Sequence, residues 1–353
     1  MTPPGREVVQ LAGEYLRNQG LPPPARGRSL YPITLYGINE PRPAGRWRSL
    51  FEATWAGYRR WYLSDGDAAR PDLRTCRRML TDYMPELLAT WTRMVELADG
   101  DELAARMLSL WDPPRFLPCC SQAVLGRPRP VLIRNYDYHP DLFERVVYSS
   151  AFTGRRVLGT GDCLWGLLDG MNDAGLAISL AFGGRPGSAP GFGIPLVVRY
   201  LLEVAGSVRE ARKALDRLPM AMAYNLTMMD ISGETVTAFA APGGPAEVTD
   251  IPVATNHRGD TPEYPDHPRS PRSLERRHRL LQLLEPCPPA EDLAAEFLLP
   301  PLRSTAFSRG FGTLYTAVFR PHEGTVDYLW PGDSWRRTFD APEEIKTVIL
   351  REP

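Results

Sequence analysis

The sequence predicts an α+β protein in which antiparallel sheets carry helices packed on them. After about Pro118, short apolar or alternating segments such as "RPVLIRNYDY", "ERVVYSSAF" and "GLAISLAFGG" are separated by turn residues. Two pairs of such segments lie close enough to be hairpins. Helical periods interrupt the strand runs in a pair rather than one per strand, which argues against a parallel sheet of β-α units.

In chain order, the first part, to about Pro118, reads as helical. "RWRSLFEATWAGYRRWYL" puts Trp47, Phe51, Trp55 and Tyr58 on one stripe. In "YMPELLATWTRMVELADGDELAARMLSLW", Leu87 or Leu88, Trp91, Met94 or Val95 and Ala98 recur at helical spacing until Asp99-Gly100 breaks the run before a second helix. An apolar helical face has to be buried, so these aromatics are core residues first, and walls of an acyl pocket only as an alternative. Residues 1–118 are expected to form a helical N-terminal segment, and residues 119–353 the core.

Within the core, "YNLTMMDISGETVTAFAA" is a hairpin turning at Asp230-Ile231-Ser232-Gly233, and "GTLYTAVFRPHEGTVDYLW" turns at His322-Glu323-Gly324. The helices are "IPLVVRYLLEVAG", "SVREARKALDRLP" with Ser207 and Glu210 as a capping box, and "SLERRHRLLQLL". The Pro-rich "GDTPEYPDHPRSP" is a surface loop, as is "PRPAGR" near Pro41. The Gly-rich "AFGGRPGSAPGFG" lacks the lysine and spacing of a phosphate loop and is expected to be a mobile loop beside the cleft.

Composition narrows the function. A chain of 353 residues with 43% hydrophobic residues can bury a large core, and a formal net charge of -1 gives no general attraction for nucleic acid or membrane. The N-terminus has no basic start followed by an apolar run, and no segment is apolar enough to span a membrane, so a cytoplasmic protein is expected. Lys213 and Lys346 are the only lysines beside many arginines, prolines and alanines, the codon signature of a high-GC genome. The cysteines Cys76, Cys119, Cys120, Cys163 and Cys287 are odd in number and scattered, which fits neither a disulfide framework nor a structural zinc site. No metal and no cofactor is expected.

Chemistry concentrates in "FLPCCSQAVLGRPRPVLIRNYDYHP". Most intracellular cysteines are buried fillers. Here a Cys-Ser pair opens a strand, and "RNYD" follows in the next one. A guanidinium such as Arg134 favours the thiolate, the nucleophilic form. Asp137 could orient the amine or water that takes the proton, and Asn256 in "VATNHRGD" offers an amide N–H to a developing oxyanion. The bland alternatives are a surface pair at Arg134 and Asp137 and a simple turn at Asn256. Cys76, Cys163 and Cys287 are read as structural.

The ordered set "CCSQAVLG", "LIRNYD", "LWGLLDGMNDAGLAISLAFGG", "VATNHRGD", "SLERRHRLL" and "GTLYTAVF" resembles the N-terminal-nucleophile (Ntn) hydrolases of the penicillin acyltransferase-like group, relatives of the choloylglycine hydrolases. The resemblance covers roughly Cys120 to Trp330. It implies a four-layer αββα sandwich and a precursor that cuts itself before the nucleophilic cysteine, whose freed α-amine becomes the general base. It further implies Cys120 as nucleophile, Arg134 and Asp137 as the Arg-Asn-x-Asp pair, Asn256 as the oxyanion asparagine and Arg276 as the arginine of the Ser-x-x-Arg helix. Cys119 stands where the family more often has a small residue. Should the chain stay intact, His139, His257 or His278 would have to supply the base.

The expected function is a cysteine-dependent acyltransferase that passes an acyl group through a Cys120 thioester to an amine, in bacterial secondary metabolism. Its partners would be a small-molecule acyl donor and an amine acceptor, with coenzyme A or an acyl or peptidyl carrier protein bearing the donor thioester, and homo-oligomerisation is left open. An amidase acting on a small N-acyl compound and a catalytically silent Ntn-like binding protein are the alternatives.

Overall fold

The computed structural model describes residues 30–117, 119–126, 129–185, 187–260 and 270–352. The extreme N-terminal stretch and most of the Pro-rich loop of 259–271 lie outside the described residues.

The expected helical segment is present, but it is preceded by a strand, β1 (Leu30–Asn39), which corrects the reading of the whole first part as helical. Tyr31, Ile33 and Leu35 alternate inward along it, the period of a half-buried strand. Among the described residues the helices α1 (Gly45–Tyr62), α2 (Leu73–Tyr83), α3 (Leu88–Leu97) and α4 (Glu102–Leu108) follow. The aromatic stripe of α1 is core: Trp47 and Phe51 are buried and stacked at 5.5 Å. Trp47 Nε1 donates to the Leu164 carbonyl at 3.0 Å, which ties the helical segment to the sheet below it.

Two sheets carry the rest. The first runs β10 (Glu247–Thr249), β9 (Thr235–Ala240), β8 (Tyr224–Asp230), β7 (Leu176–Phe182), β6 (Gly166–Asn172), β5 (Val157–Asp162), β4 (Val146–Ser150), β1, β15 (Glu344–Arg351). It is antiparallel except where β1 lies parallel to β4. The second runs β11 (Val253–Ala254), β2 (Cys119–Leu125), β3 (Val131–Tyr138), β12 (Gly312–Arg320), β13 (Thr325–Trp330), β14 (Asp333–Thr338), all antiparallel. Both expected hairpins form, as β8–β9 and β12–β13.

Helices α5 (Ile194–Val204) and α6 (Val208–Leu215) pack on the first sheet, and α7 (Ser270–Leu284) and α8 (Ala290–Phe297) on the second. The sheets face each other through β2, β3, β7 and β8, which completes an αββα sandwich. Ser207 caps α6 by accepting from Glu210 N–H, while the Glu210 carboxylate reaches one residue further back, to Gly206 N–H at 2.7 Å. Among the described residues no helix is long and apolar enough to cross a membrane.

Strand β3 is buried along its full length, so both of its faces have partners. Leu132, Arg134, Tyr136 and Tyr138 look into the space between the sheets. Val131 and Ile133 join Leu280, Leu293 and Phe297 in the separate core under α7 and α8. Asn135, on the same outer face, donates to the carbonyls of Phe297 and Leu302 at 2.8 and 3.1 Å. The two-residue period of this one strand divides the candidate site into two halves.

Candidate active site

Cys120 and Tyr136 are partners across β2 and β3, so the Cys120 side chain also faces the inter-sheet space. It is fully buried, and Arg134 Nη2 stands 2.7 Å from its sulfur. The other guanidinium nitrogen donates to Asp169 Oδ2 at 2.8 Å and to the Leu168 carbonyl at 2.7 Å. Arg134 and Asp169 are wholly buried and belong to opposite sheets, so this ion pair spans the sandwich and aims the guanidinium at the thiol. Burial alone would disfavour the charged guanidinium, but Cys120, Tyr315 and Asp169 outweigh it and raise its pKa. A cation locked at this distance favours thiolate over thiol.

The second half lies on the other face of β3 and reaches the backbone nitrogen of Cys120 through Asn256. Asp137 pairs with Cys119 in the ladder and is buried under α7. Its carboxylate accepts from Arg276 Nη1 at 2.9 Å and from Thr313 Oγ1 at 2.6 Å. Burial raises the Asp137 pKa, while Arg276, Thr313, Arg272 and Arg134 hold that rise in check. Asn256 Oδ1 accepts from Arg276 Nη2 at 2.8 Å and from Cys120 N–H at 3.4 Å. Since arginine can only donate, these bonds fix which amide atom of Asn256 is oxygen. Its Nδ2 donates one N–H to the Phe182 carbonyl at 2.9 Å.

Cys120, Arg134, Asp137, Asn256 and Arg276 are therefore brought together. Arg134 and Asp137 are not a surface pair: three positions apart on a strand, they point to opposite faces. Asn256 is no simple turn either. The first turn of α7 clasps it, with Ser273 Oγ accepting from Asn256 N–H at 2.7 Å, and a glycine lets the loop after β7 lie against it. Gly184 sits at φ +78°, where a Cβ would come within 2.3 Å of the Asn256 carbonyl oxygen.

The histidines are placed differently. His139 Nδ1 accepts from Asp141 N–H at 3.0 Å, and His278 is on the exposed side of α7. His257 Nδ1 lies 2.7 Å from Ser273 Oγ and 3.2 Å from Thr255 Oγ1, a scaffold for the turn that carries Asn256. Burial, then the charges of Arg277 and Arg276, lower its pKa from 6.5 to about 4. A histidine depressed in the fold binds its proton more readily when unfolded, so stability is full above 6.5 and declines as pH falls toward about 4. Thermal melts across that window should show a shallower decline for His257→Asn than for the parent.

Asp169, Tyr315, Thr313 and Ser273 are participants that the sequence did not single out. Tyr315 OH donates to Asp169 Oδ2 at 2.7 Å and so helps hold the partner of Arg134. Each lies inside a motif quoted above, but its partner comes from the facing sheet for Asp169 and Tyr315, from the neighbouring strand for Thr313 and from the turn after β11 for Ser273, and no spacing along the chain reports it.

Sandwich and site together define an Ntn-type enzyme of acyl transfer or amide hydrolysis. Residues 124–335 match the family model described as acyl-coenzyme A:6-aminopenicillanic acid acyl-transferase, and the chain belongs to that family. The matched span holds Arg134, Asp137, Asn256 and Arg276, and Cys120 lies just before it. No curated protein matches the chain. Solved structures similar to it include a mutant of the conjugated bile acid hydrolase of Clostridium perfringens, at 14% identity and TM-score 0.45 over 65% of this chain and 96% of that one. Penicillin V acylase of Agrobacterium tumefaciens is 15% identical, with TM-score 0.39 over 60% and 82% of the two chains. The N-acylethanolamine-hydrolyzing acid amidase ortholog of Caenorhabditis elegans is 16% identical, with TM-score 0.43 over 57% and 92%.

Proposed function

We propose that this protein transfers an acyl group from a thioester donor to an amine through a thioester on Cys120. The observation that carries this reading is the contact of Arg134 with the Cys120 sulfur, in a site whose other half converges on the nitrogen of the same residue. In the acylation step the thiol proton passes to the base, the sulfur attacks the donor carbonyl, and the donor's own thiol leaves with a proton. An amine then attacks the acyl-enzyme, its proton passes by way of the base to the departing Cys120 sulfur as the C–S bond breaks, and the amide departs. The side-chain amide of Asn256 is the donor proposed for the tetrahedral oxyanion. Coenzyme A or a carrier protein is the proposed bearer of the donor acyl group, in bacterial secondary metabolism.

The base is proposed to be the α-amine of Cys120, released when its thiol attacks the Cys119 carbonyl, the C–N bond breaks and water hydrolyses the resulting thioester. Asn256 already accepts from that nitrogen in the uncut chain, and Arg276 links Asn256 to Asp137. Intact-mass measurement of the purified protein under denaturing conditions tests this: two fragments divided before Cys120 are expected. A single active species of 39.5 kDa would exclude the amine base and require a side chain in its place.

A further inference from the structure

Between α1 and the loop after β3 lies a cavity of about 250 Å³ that the acyl-transfer chemistry leaves unused. Its walls are aromatic, with Trp61, Phe116, Tyr138 and Phe143 among them, and they include the carboxylates of the buried Asp162 and the half-buried Glu144. The cavity adjoins the catalytic strand. Tyr138 follows Arg134 and Tyr136 on the inter-sheet face of β3, and Phe116 closes on Tyr138 at 5.6 Å a few residues before Cys120. Tyr136 packs between the two, its ring under the Arg134 guanidinium at 5.1 Å and against Phe143 at 5.7 Å.

The two carboxylates have one structural duty each. Asp162 Oδ1 accepts from Cys163 N–H at 2.7 Å, and Glu144 Oε2 accepts from Leu164 N–H at 3.1 Å. These bonds hold the β5–β6 turn, where Cys163 and Leu164 both adopt positive φ. Tyr58 OH bridges the same two oxygens at 3.1 and 3.0 Å. The remaining oxygens, Asp162 Oδ2 and Glu144 Oε1, are buried with no hydrogen-bond partner, although Asp162 as a residue is only 3% exposed. Among the described residues no arginine, lysine or histidine forms an ion pair with either carboxylate. Arg60 and Asp141 are the other charged groups of the cavity, both exposed. Holding a turn needs one acceptor per residue, and an amide would serve. Two carboxylates, each with an unused oxygen in an aromatic box, fit a cation.

We propose that this cavity binds a cationic amine group of the substrate, with Asp162 Oδ2 and Glu144 Oε1 as its partners and the aromatic walls around its alkyl stem. Resting on the acyl-transfer reading, the proposal makes the acceptor a compound that carries a protonated amine as a handle besides the amine it presents to the thioester. Burial pushes both carboxyl pKa values up, and that of Glu144 is raised further by the charge of Asp162. An entering ammonium favours the doubly ionised pair and expels the proton they retain.

The test is a titration of the full chain bearing Cys120→Ala with n-butylammonium, followed by ligand-observed NMR, and by calorimetry in two buffers of different ionisation enthalpy. Because that variant needs no acyl chemistry, failure of the transfer reading would not affect the result. Saturable binding is expected, with a buffer-dependent heat that reports proton release. Asp162→Asn and Glu144→Gln, which keep the turn-holding oxygen, should each weaken it by ~10-fold or more, as expected for loss of a charged hydrogen bond, while 1-butanol binding should stay unchanged. Absence of saturable butylammonium binding, or an affinity in either variant equal to that of the chain that keeps both carboxylates, once melts show the variants folded, overturns the proposal.

Discussion

Cys120→Ala is expected to lower acyl transfer by on the order of 10⁴-fold or more, because removing the atom proposed to form the covalent intermediate leaves only binding and charge stabilisation. The same substitution should leave the fold intact: the side chain is small and buried, and Arg134 keeps Asp169 and the Leu168 carbonyl. Mass spectrometry after exposure to a thioester donor should find the acyl adduct in the parent and none in the variant. Cys119→Ala should retain the adduct. An adduct on Cys119 instead would move the nucleophile by one residue and overturn the assignment.

Arg134→Leu should be the most destabilising single change at the site. It leaves Asp169, fully buried, without its cation, and breaking a buried pair from one side typically costs about 3–5 kcal/mol. Urea denaturation would register this as a lower midpoint with an unchanged slope. Adding Asp169→Asn removes the stranded charge, keeps an oxygen for Thr160 N–H and turns its NH2 to Tyr315 OH, which can accept, so the double variant should recover most of the loss. Its activity should stay low, since nothing then favours the thiolate. Recovery of stability without recovery of activity would separate the two duties of Arg134. If the single variant melted like the parent, the ion pair would not be the inter-sheet clamp described above.

The strand of Arg134 and Asp137 was legible in the sequence because its violation of pattern is local. An apolar run that contains Arg134, Asn135 and Asp137 has to bury charge, and buried charge needs partners. Asn256 could be offered as an oxyanion donor beside the reading of a simple turn, whereas Arg276 was reached through resemblance, since by itself it does not differ from an ordinary helix residue. Asp169 was missed for the opposite reason: one carboxylate in "GLLDGMN" looks like a turn residue until the facing sheet brings Arg134 to it. Strand β1 was missed because its antiparallel partner, β15, lies at the far end of the chain, and no nearby turn signals the pairing. The acidic cavity combines Tyr58 from the helical segment, Glu144 from a loop and Asp162 from a strand end, positions that only the tertiary fold makes neighbours.

Strand β1 pairs with β15 from Leu30 to Gly37 and with β4 from Tyr36 to Asn39, so the part of the chain before Cys120 contributes an interior strand to a sheet otherwise made by the part after it. A cut between Cys119 and Cys120 would thus sever the covalent thread without parting the pieces. They would migrate as one particle through a sizing column and separate only in denaturant. The earlier piece is no disposable leader: residues 120–353 made alone would expose the flanks of β4 and β15 as two raw sheet edges, the usual starting point of aggregation. Self-cutting would also certify assembly, because the groups around the Cys120 nitrogen come from β3, α7 and the loop of Asn256, and meet only after the sandwich has closed.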